Sequence, residues 1–166
     1  KSLGWDLEKE EKEGNFFFLE YTPEKVKVML EEGGGVIESI ILGKQIERVV
    51  IDSITSFGML FDDDLTRRES AIELYDMLRK WGCTTVLTYE RDPRMDIRKA
   101  SGAIEFESDS IILIYFLRGK KERQRYVEVI KMRGTNHSNE IWPFKIKKGG
   151  IELGPEPFLG DIKDLS

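Results

Sequence analysis

Apolar residues recur along this chain with two spacings, and the switch between them sets out its elements. Asn15–Glu20 is a short apolar string, with Phe16, Phe17, Phe18 and Leu19 between Gly14 and Thr22-Pro23, and it predicts a buried strand. Thr22 is placed to cap a helix that has Pro23 at its first position. Val26, Met29 and Leu30 then share one helical face, and Gly33-Gly34-Gly35 ends the helix. A second helix is expected over Val36–Gly43, with Ile37, Ile40 and Ile41 turned inward.

The organising stretch is Gln45–Phe57. Val49-Val50-Ile51 is an unbroken apolar run that stops at Asp52 and Ser53. A run without alternation predicts a strand, Arg48–Asp52, buried on both faces in a parallel sheet flanked by helices. A carboxylate at the carboxyl end of such a strand lies where open α/β sheets bind ligands. In nucleotide hydrolases an Asp at this place holds Mg²⁺ through water. The same residue type also caps turns, and this stretch alone leaves both readings open.

Phe57–Asp64 reads as a loop ending in Asp62-Asp63-Asp64, an acidic group suited to a helix N-terminus. Thr66 and Glu69 have the spacing of a capping box. Ala71, Leu74, Tyr75, Leu78 and Trp81 continue as a helical stripe that Gly82 stops, and such a stripe is core. Cys83–Tyr89 predicts another buried strand. Glu90–Gly102 is polar, proline-containing and dense in charge (Arg91, Arg94, Arg98, Lys99 among acids), which describes an exposed loop. Asp109–Leu117 predicts a strand, Arg118–Gln124 a turn, and Arg125–Met132 an antiparallel return. Trp142–Ile146 and Ile151–Leu153 flank Lys148-Gly149-Gly150 as a last hairpin, and Gly154–Ser166 reads as an irregular tail. Strands and helices alternate first and hairpins follow, so the class is α/β with an antiparallel extension.

Composition narrows the choice only a little. A chain of 166 residues suffices for one domain with a real core. Its net charge of −5 supplies no overall basic field for phosphate, which tells against indiscriminate nucleic-acid binding but leaves local basic clusters open. The single cysteine, Cys83, allows no internal disulfide and fits a reducing cytoplasm. No apolar run approaches the ~20 residues of a membrane span. The first residue is Lys1 and it enters a pattern already under way, so the chain reads as a piece of a longer polypeptide.

Lys131-Met-Arg-Gly-Thr-Asn-His137 is the second stretch with chemical content. If the strand continues through it, Lys131 and Arg133 share a face, with Met132 turned away. A compact ammonium and a planar guanidinium at one strand end would make an anion clamp. Gly134 permits a tight turn, and Thr135 and His137 add hydrogen-bonding groups. The bland alternative is a basic strand end meeting solvent or a carboxylate. His137 is the only histidine and no His/Cys cluster exists, so no zinc site is expected. No serine stands in a Gly-x-Ser-x-Gly elbow, and no Gly-x-x-x-x-Gly-Lys-Ser/Thr occurs anywhere. Backbone amides of a P-loop are therefore not available here to cradle β- and γ-phosphates.

Four features in order resemble a KaiC-like domain of the RecA superfamily of P-loop ATPases. They are Leu3-Gly-Trp-Asp-Leu7 with Glu13-Gly14 and a strand, Arg48-Val-Val-Ile-Asp-Ser-Ile54, Ser108-Asp109-Ser110 opening a strand, and Lys131–His137 followed by Pro143-Phe144 and Gly149-Gly150-Ile151. The resemblance runs to about Leu153. Lys-x-Arg-Gly-Thr-x-His is fairly specific, whereas a strand ending in Asp-Ser is common to many P-loop proteins.

The resemblance implies a RecA-like, mostly parallel sheet with flanking helices and C-terminal antiparallel hairpins, incomplete at the N-terminus. Residues 1–166 would be the C-terminal two-thirds of one such domain, because the family's P-loop and paired catalytic glutamates precede the Gly-Trp-Asp-Leu region. Asp52 matches the Walker B acid that organises Mg²⁺ through water, with Ser53 beside it. Lys131, Met132, Arg133, Thr135 and His137 match the segment that contacts ATP bound to the neighbouring subunit, Lys131 and Arg133 serving as trans fingers on the γ-phosphate. Lys147 and Lys148 match positions near that nucleotide but depart from the family's residue types. ATP and Mg²⁺ would be the cofactors, and a homo-oligomeric ring, often a hexamer, the assembly. Two other readings stay open: a non-catalytic RecA-like module that binds a protein partner, and a DNA-binding recombinase relative, against which the acids among Arg91–Lys99 and the net charge argue.

Overall fold

The computed structural model describes residues 3–90, 107–118 and 122–160. In chain order its helices are α1 (Leu7–Lys12), α2 (Pro23–Glu31), α3 (Gly35–Lys44), α4 (Thr55–Gly58) and α5 (Asp64–Trp81). Its strands are β1 (Arg48–Ile51), β2 (Thr84–Leu87), β3 (Ser110–Arg118), β4 (Arg123–Met132), β5 (Trp142–Lys147) and β6 (Gly150–Leu153). They divide into two compact units, Leu19–Glu107 on one hand and Lys1–Phe18 with Ser108–Ser166 on the other. The class is the expected α/β, with a parallel pair, an antiparallel sheet and helices.

The Leu19–Glu107 unit is built on α5. Its apolar positions recur every three or four residues and bury Ala71, Leu74, Met77, Leu78 and Trp81. Leu74, Met77, Leu78 and Trp81 pack with Met29 of α2, Ile41 of α3 and with Ile54, Phe57 and Phe61. Burying a large side chain of this kind contributes about 1.5–3 kcal/mol, an upper figure for a compact unfolded chain. The predicted caps of α2 hold: the Thr22 hydroxyl accepts from the Lys25 amide and Pro23 opens the helix. For α5 the cap lies three residues earlier than the Thr66/Glu69 box suggests. Asp63 is the N-cap, and its carboxylate accepts from the Thr66 amide at 2.8 Å and the Thr66 hydroxyl at 2.6 Å. These two bonds hold the Asp63 carboxyl below its ordinary 3.8. Gly82, at φ 69°, ends the helix in the left-handed conformation that glycine adopts without strain. Trp81 is 6 % exposed, and its indole Nε1 has no hydrogen-bond partner among the described residues.

β1 and β2 pair in parallel, with Val49 opposite Thr85 and Ile51 opposite Leu87. Val49, Ile51 and Leu87 pack against the helical core, while Val50 is 66 % and Val86 52 % exposed. The expectation that the Arg48–Asp52 strand is buried on both faces is therefore corrected: among the described residues, helices cover one face only. A second correction concerns Asn15–Glu20. Residues 16–22 form neither strand nor helix, and Phe18 is 66 % exposed, because nothing pairs with this segment or covers it among the described residues. Phe57–Asp64 is also not wholly loop, since α4 begins it and Phe57 meets Phe61 edge to face at 5.2 Å. The charged Glu90–Gly102 stretch lies outside the described residues from Arg91 onward.

The other unit is a four-stranded antiparallel sheet in the order β3-β4-β5-β6, the two predicted hairpins side by side. Ile111 faces Lys131 while Ile112 faces Val129, so Ile130 is an extra residue in β4, a β-bulge. Tyr115 donates its hydroxyl to Glu128 across the same pair. Tyr126 is buried and its ring meets Phe158 at 5.1 Å, which docks part of the otherwise irregular 154–160 segment on the sheet. On the opposite face Ile112, Ile114 and Phe116 stay largely exposed, with the Arg125 guanidinium 4.7 Å from the Phe116 ring.

Candidate functional site

Asp52 directly follows the last residue of β1, and Thr88 directly follows the last residue of β2. Parallel pairing of Ile51 with Leu87 therefore sets the two side by side at the carboxyl ends of their strands. The ladder continues one step beyond the strands. The Thr88 amide donates to the Ile51 carbonyl at 3.0 Å, and the Ile54 amide donates to the Thr88 carbonyl at 3.0 Å. The Thr88 hydroxyl donates to Asp52 Oδ1 at 2.5 Å, and the Glu90 amide donates to the Thr55 hydroxyl at 2.8 Å. Asp52 and Thr88 are exposed, Ser53 is half-buried, and the Asp52–Ser53 peptide bond is cis.

The turn after Asp52 is fixed from below. Ile54 is 3 % exposed and sits in the core with Phe57 and Phe61. Arg67 of α5 binds the carbonyls of Gly58 and Phe61, each at 3.1 Å, and pairs with Asp64 at 2.7 Å. The guanidinium thus satisfies the Gly58 carbonyl that α4 leaves open at its end and the Phe61 carbonyl beyond it. The result is a carboxylate on a short turn with one oxygen engaged by Thr88 and the other without a hydrogen-bond partner among the described residues.

The second cluster belongs to the antiparallel unit. Lys131 is half-buried and lies within β4, opposite Ile111, just after the bulge at Ile130. β4 ends at Met132, so Arg133 stands in a turn with Gly134 at φ 69°. The expectation that Lys131 and Arg133 project as alternate residues of one strand is corrected on that ground. Arg133 is instead held by Asp109, which accepts from its amide at 2.9 Å and from its guanidinium at 3.2 Å. The pair is exposed, and such pairs are worth little to stability. Thr135 is exposed. His137 is half-buried with Nδ1 2.9 Å from the Ser138 carbonyl, and since a carbonyl only accepts, Nδ1 carries the proton in this contact.

The structure thus keeps Asp52 and Ser53 together in one unit, and Lys131, Met132, Arg133, Thr135 and His137 together in the other. Thr88 is the residue that the sequence reading misses. Its signal was a polar residue just past the end of a parallel strand, which gains meaning only once β1 and β2 are known to pair. Among the described residues no group of three or more His, Cys, Asp or Glu gathers to hold a metal. No described helix is long and apolar enough to cross a membrane.

A family model described as the KaiC ATPase matches residues 1–157. The circadian clock oscillator protein KaiC of Synechococcus elongatus is 32% identical over 167 residues, covering 93% of this chain and 31% of that protein. The KaiC of Acaryochloris marina is 30% identical, with the same two shares. A crystal structure of a KaiC-like protein from the hyperthermophilic archaeon Pyrococcus horikoshii OT3 matches with a TM-score of 0.74 at 32% identity. That match covers 93% of this chain and 67% of the archaeal one. The chain thus spans about a third of the length of the KaiC proteins it matches. Matched over nearly its whole length, the chain belongs to the KaiC-like ATPases of the RecA superfamily.

Proposed function

We propose that this chain is the part of a KaiC-like ATPase domain that contributes the Walker B carboxylate and the cations acting on a neighbouring subunit's ATP. The observation that carries the reading is the state of Asp52. Its carboxylate ends a parallel strand, one oxygen is held by Thr88, and the other has no hydrogen-bond partner among the described residues. A magnesium ion keeps most of its water shell and takes only one or two carboxylates from protein. A single anchored carboxylate on an exposed turn fits that demand, and the absence of a larger carboxylate cluster among the described residues agrees with it. When bound, Mg²⁺ with ATP neutralises charge on the β- and γ-phosphates.

In this reading Asp52 holds the ion through water, with Ser53 next to it. Lys131 and Arg133 place positive charge on the γ-phosphate of ATP bound to the adjacent copy, and Met132, Thr135 and His137 line that contact. Subunits then assemble as a ring with nucleotide between them. The phosphate cradle comes from polypeptide outside residues 1–166, since no P-loop string occurs in the chain.

The test is ATP turnover by the natural protein that carries this chain. Arg133→Ala and Asp52→Asn each lower turnover by about 100-fold or more, the range for removing an electrostatic stabiliser of the transition state. Unchanged turnover in both variants refutes the assigned roles. Residues 1–166 alone show no appreciable turnover and at most weak ATP binding. Micromolar binding by calorimetry would refute the proposed origin of the cradle. The missing P-loop string also favours a second reading, a non-catalytic module that binds a protein partner. A natural protein that neither binds nor hydrolyses ATP supports that one.

A further inference from the structure

We propose that Thr88 is a positioning residue for Asp52, fixing which carboxylate oxygen faces the magnesium water shell. The inference rests on the reading of Asp52 just given. A carboxylate on an exposed turn rotates freely about its terminal bond, since that torsion is broad. A hydroxyl donating to Oδ1 at 2.5 Å removes this freedom and leaves Oδ2 as the outward acceptor. The bond is charge-assisted and short, and so among the stronger hydrogen bonds available.

Thr88 can serve this purpose because its own backbone is immobilised. Its amide and carbonyl are bonded to Ile51 and Ile54 on either side of Asp52, and Ile54 is buried in the core. Two residues on, the Glu90 amide is bonded to Thr55. The donor and the acceptor therefore sit on one continuous set of hydrogen bonds, which sets the hydroxyl's position relative to the carboxylate. The threonine methyl adds steric restriction of χ1, which serine lacks. The hydroxyl is the group that matters, because only it can donate to Oδ1. Outer partners that orient a metal's ligands are typically worth 10–100-fold in metal affinity.

The experiment uses Mn²⁺ as the probe ion with ATP and the natural protein, its binding followed by electron paramagnetic resonance. Thr88→Val keeps the shape and removes the donor, whereas Thr88→Ser keeps the donor. Thr88→Val weakens Mn²⁺ binding by about 10-fold or more, and Thr88→Ser stays close to wild type. In nucleotide-free protein the Asp52 carboxyl carbon resonance moves in Thr88→Val and holds in Thr88→Ser. Both residues are exposed, so water replaces most of what the bond adds to folding and the urea midpoint moves little. If the valine variant nevertheless loses stability, Thr88→Ala is compared with Thr88→Ser under native conditions, with the same two readouts. Equal Mn²⁺ affinity with and without the hydroxyl overturns the proposal, as does a serine variant as weak as valine. Asp52→Asn separates the two levels: if it too leaves Mn²⁺ binding unchanged, the role of Asp52 fails. If it weakens binding while Thr88→Val does not, only the role of Thr88 fails.

Discussion

Replacing Trp81 by phenylalanine sets two effects of similar size against each other. Trp81 is the last residue of α5 and is 6 % exposed, so its indole is fully engaged in the core. Phenylalanine gives up roughly two methylene equivalents of buried surface, about 1.6 kcal/mol at ~0.8 kcal/mol each. Incomplete collapse around the smaller ring adds about 24 cal/mol per Å³ left unfilled, which brings the loss to about 2 kcal/mol. Against this, the indole N–H is buried without a partner, and a buried unsatisfied donor costs about 1–3 kcal/mol that phenylalanine does not incur. The two terms offset, and the expected change in stability is within ~1 kcal/mol of zero. Trp81→Ala keeps the relief but forfeits the ring, and costs about 3–5 kcal/mol less the ~2 kcal/mol of relief. The assay is urea unfolding followed by far-ultraviolet circular dichroism, because Trp5 and Trp142 share the fluorescence. A Trp81→Phe variant that loses 2 kcal/mol or more at unchanged urea dependence refutes the reasoning, since it would mean that the N–H is satisfied.

Three further outcomes follow from the same geometry. Asp63 has its carboxyl held below 3.8 by the Thr66 hydroxyl and amide, so its stabilisation is present above that value and is lost as pH falls through the folded one. Asp63→Asn keeps a capping side chain without the titration, so the stability gap between it and wild type closes on acidification, as thermal melts between pH 6 and about 2.5 would record. The Arg79 guanidinium is raised by its hydrogen bond to Glu107, with Asp76 a lesser contributor, and it also binds the Glu107 carbonyl at 3.0 Å. Arg79→Ala shifts the Glu107 carboxyl carbon resonance and leaves amide exchange of Leu74–Leu78 unchanged; an unmoved Glu107 resonance refutes this contact. Glu128→Gln keeps an acceptor for the Tyr115 hydroxyl but removes the charge, so it destabilises less than Glu128→Leu, and the reverse order in urea unfolding would sink the assigned role.

Elements governed by local chemistry were legible in the sequence. Thr22-Pro23 gave the start of α2, the Ala71–Trp81 stripe gave α5, and alternation with turn residues gave the two hairpins. What failed depended on partners distant in the chain. The Val49–Ile51 run reads as doubly buried because periodicity cannot show which layers are present, and among the described residues helices lie on one side only. The Phe16–Leu19 string has strand composition, but a strand needs a neighbour, and none of the described residues supplies one. Arg133 leaves β4 because the chain turns at Gly134, and a turn breaks the alternation on which a shared face depends. Asp63 outcompetes Thr66 as cap because its two oxygens reach both the amide and the hydroxyl of Thr66 at once. On the site, Asp52 was visible as an acid ending an apolar run, and the Lys131–His137 string through its resemblance to a family motif. Thr88 was not, because it meets Asp52 across 36 positions of chain.

The exposed side of the β1–β2 pair also bears on how isolated residues 1–166 behave in a test tube. Val50 and Val86 present a greasy strip on a short ladder, and Phe18 adds an exposed aromatic ring outside any helix or strand. Extended segments stack onto such ladders by main-chain bonding, whatever their origin. Concentrated stocks will therefore form oligomers that grow with loading, and dilution, rather than added reductant for the single thiol, is what will keep them dispersed.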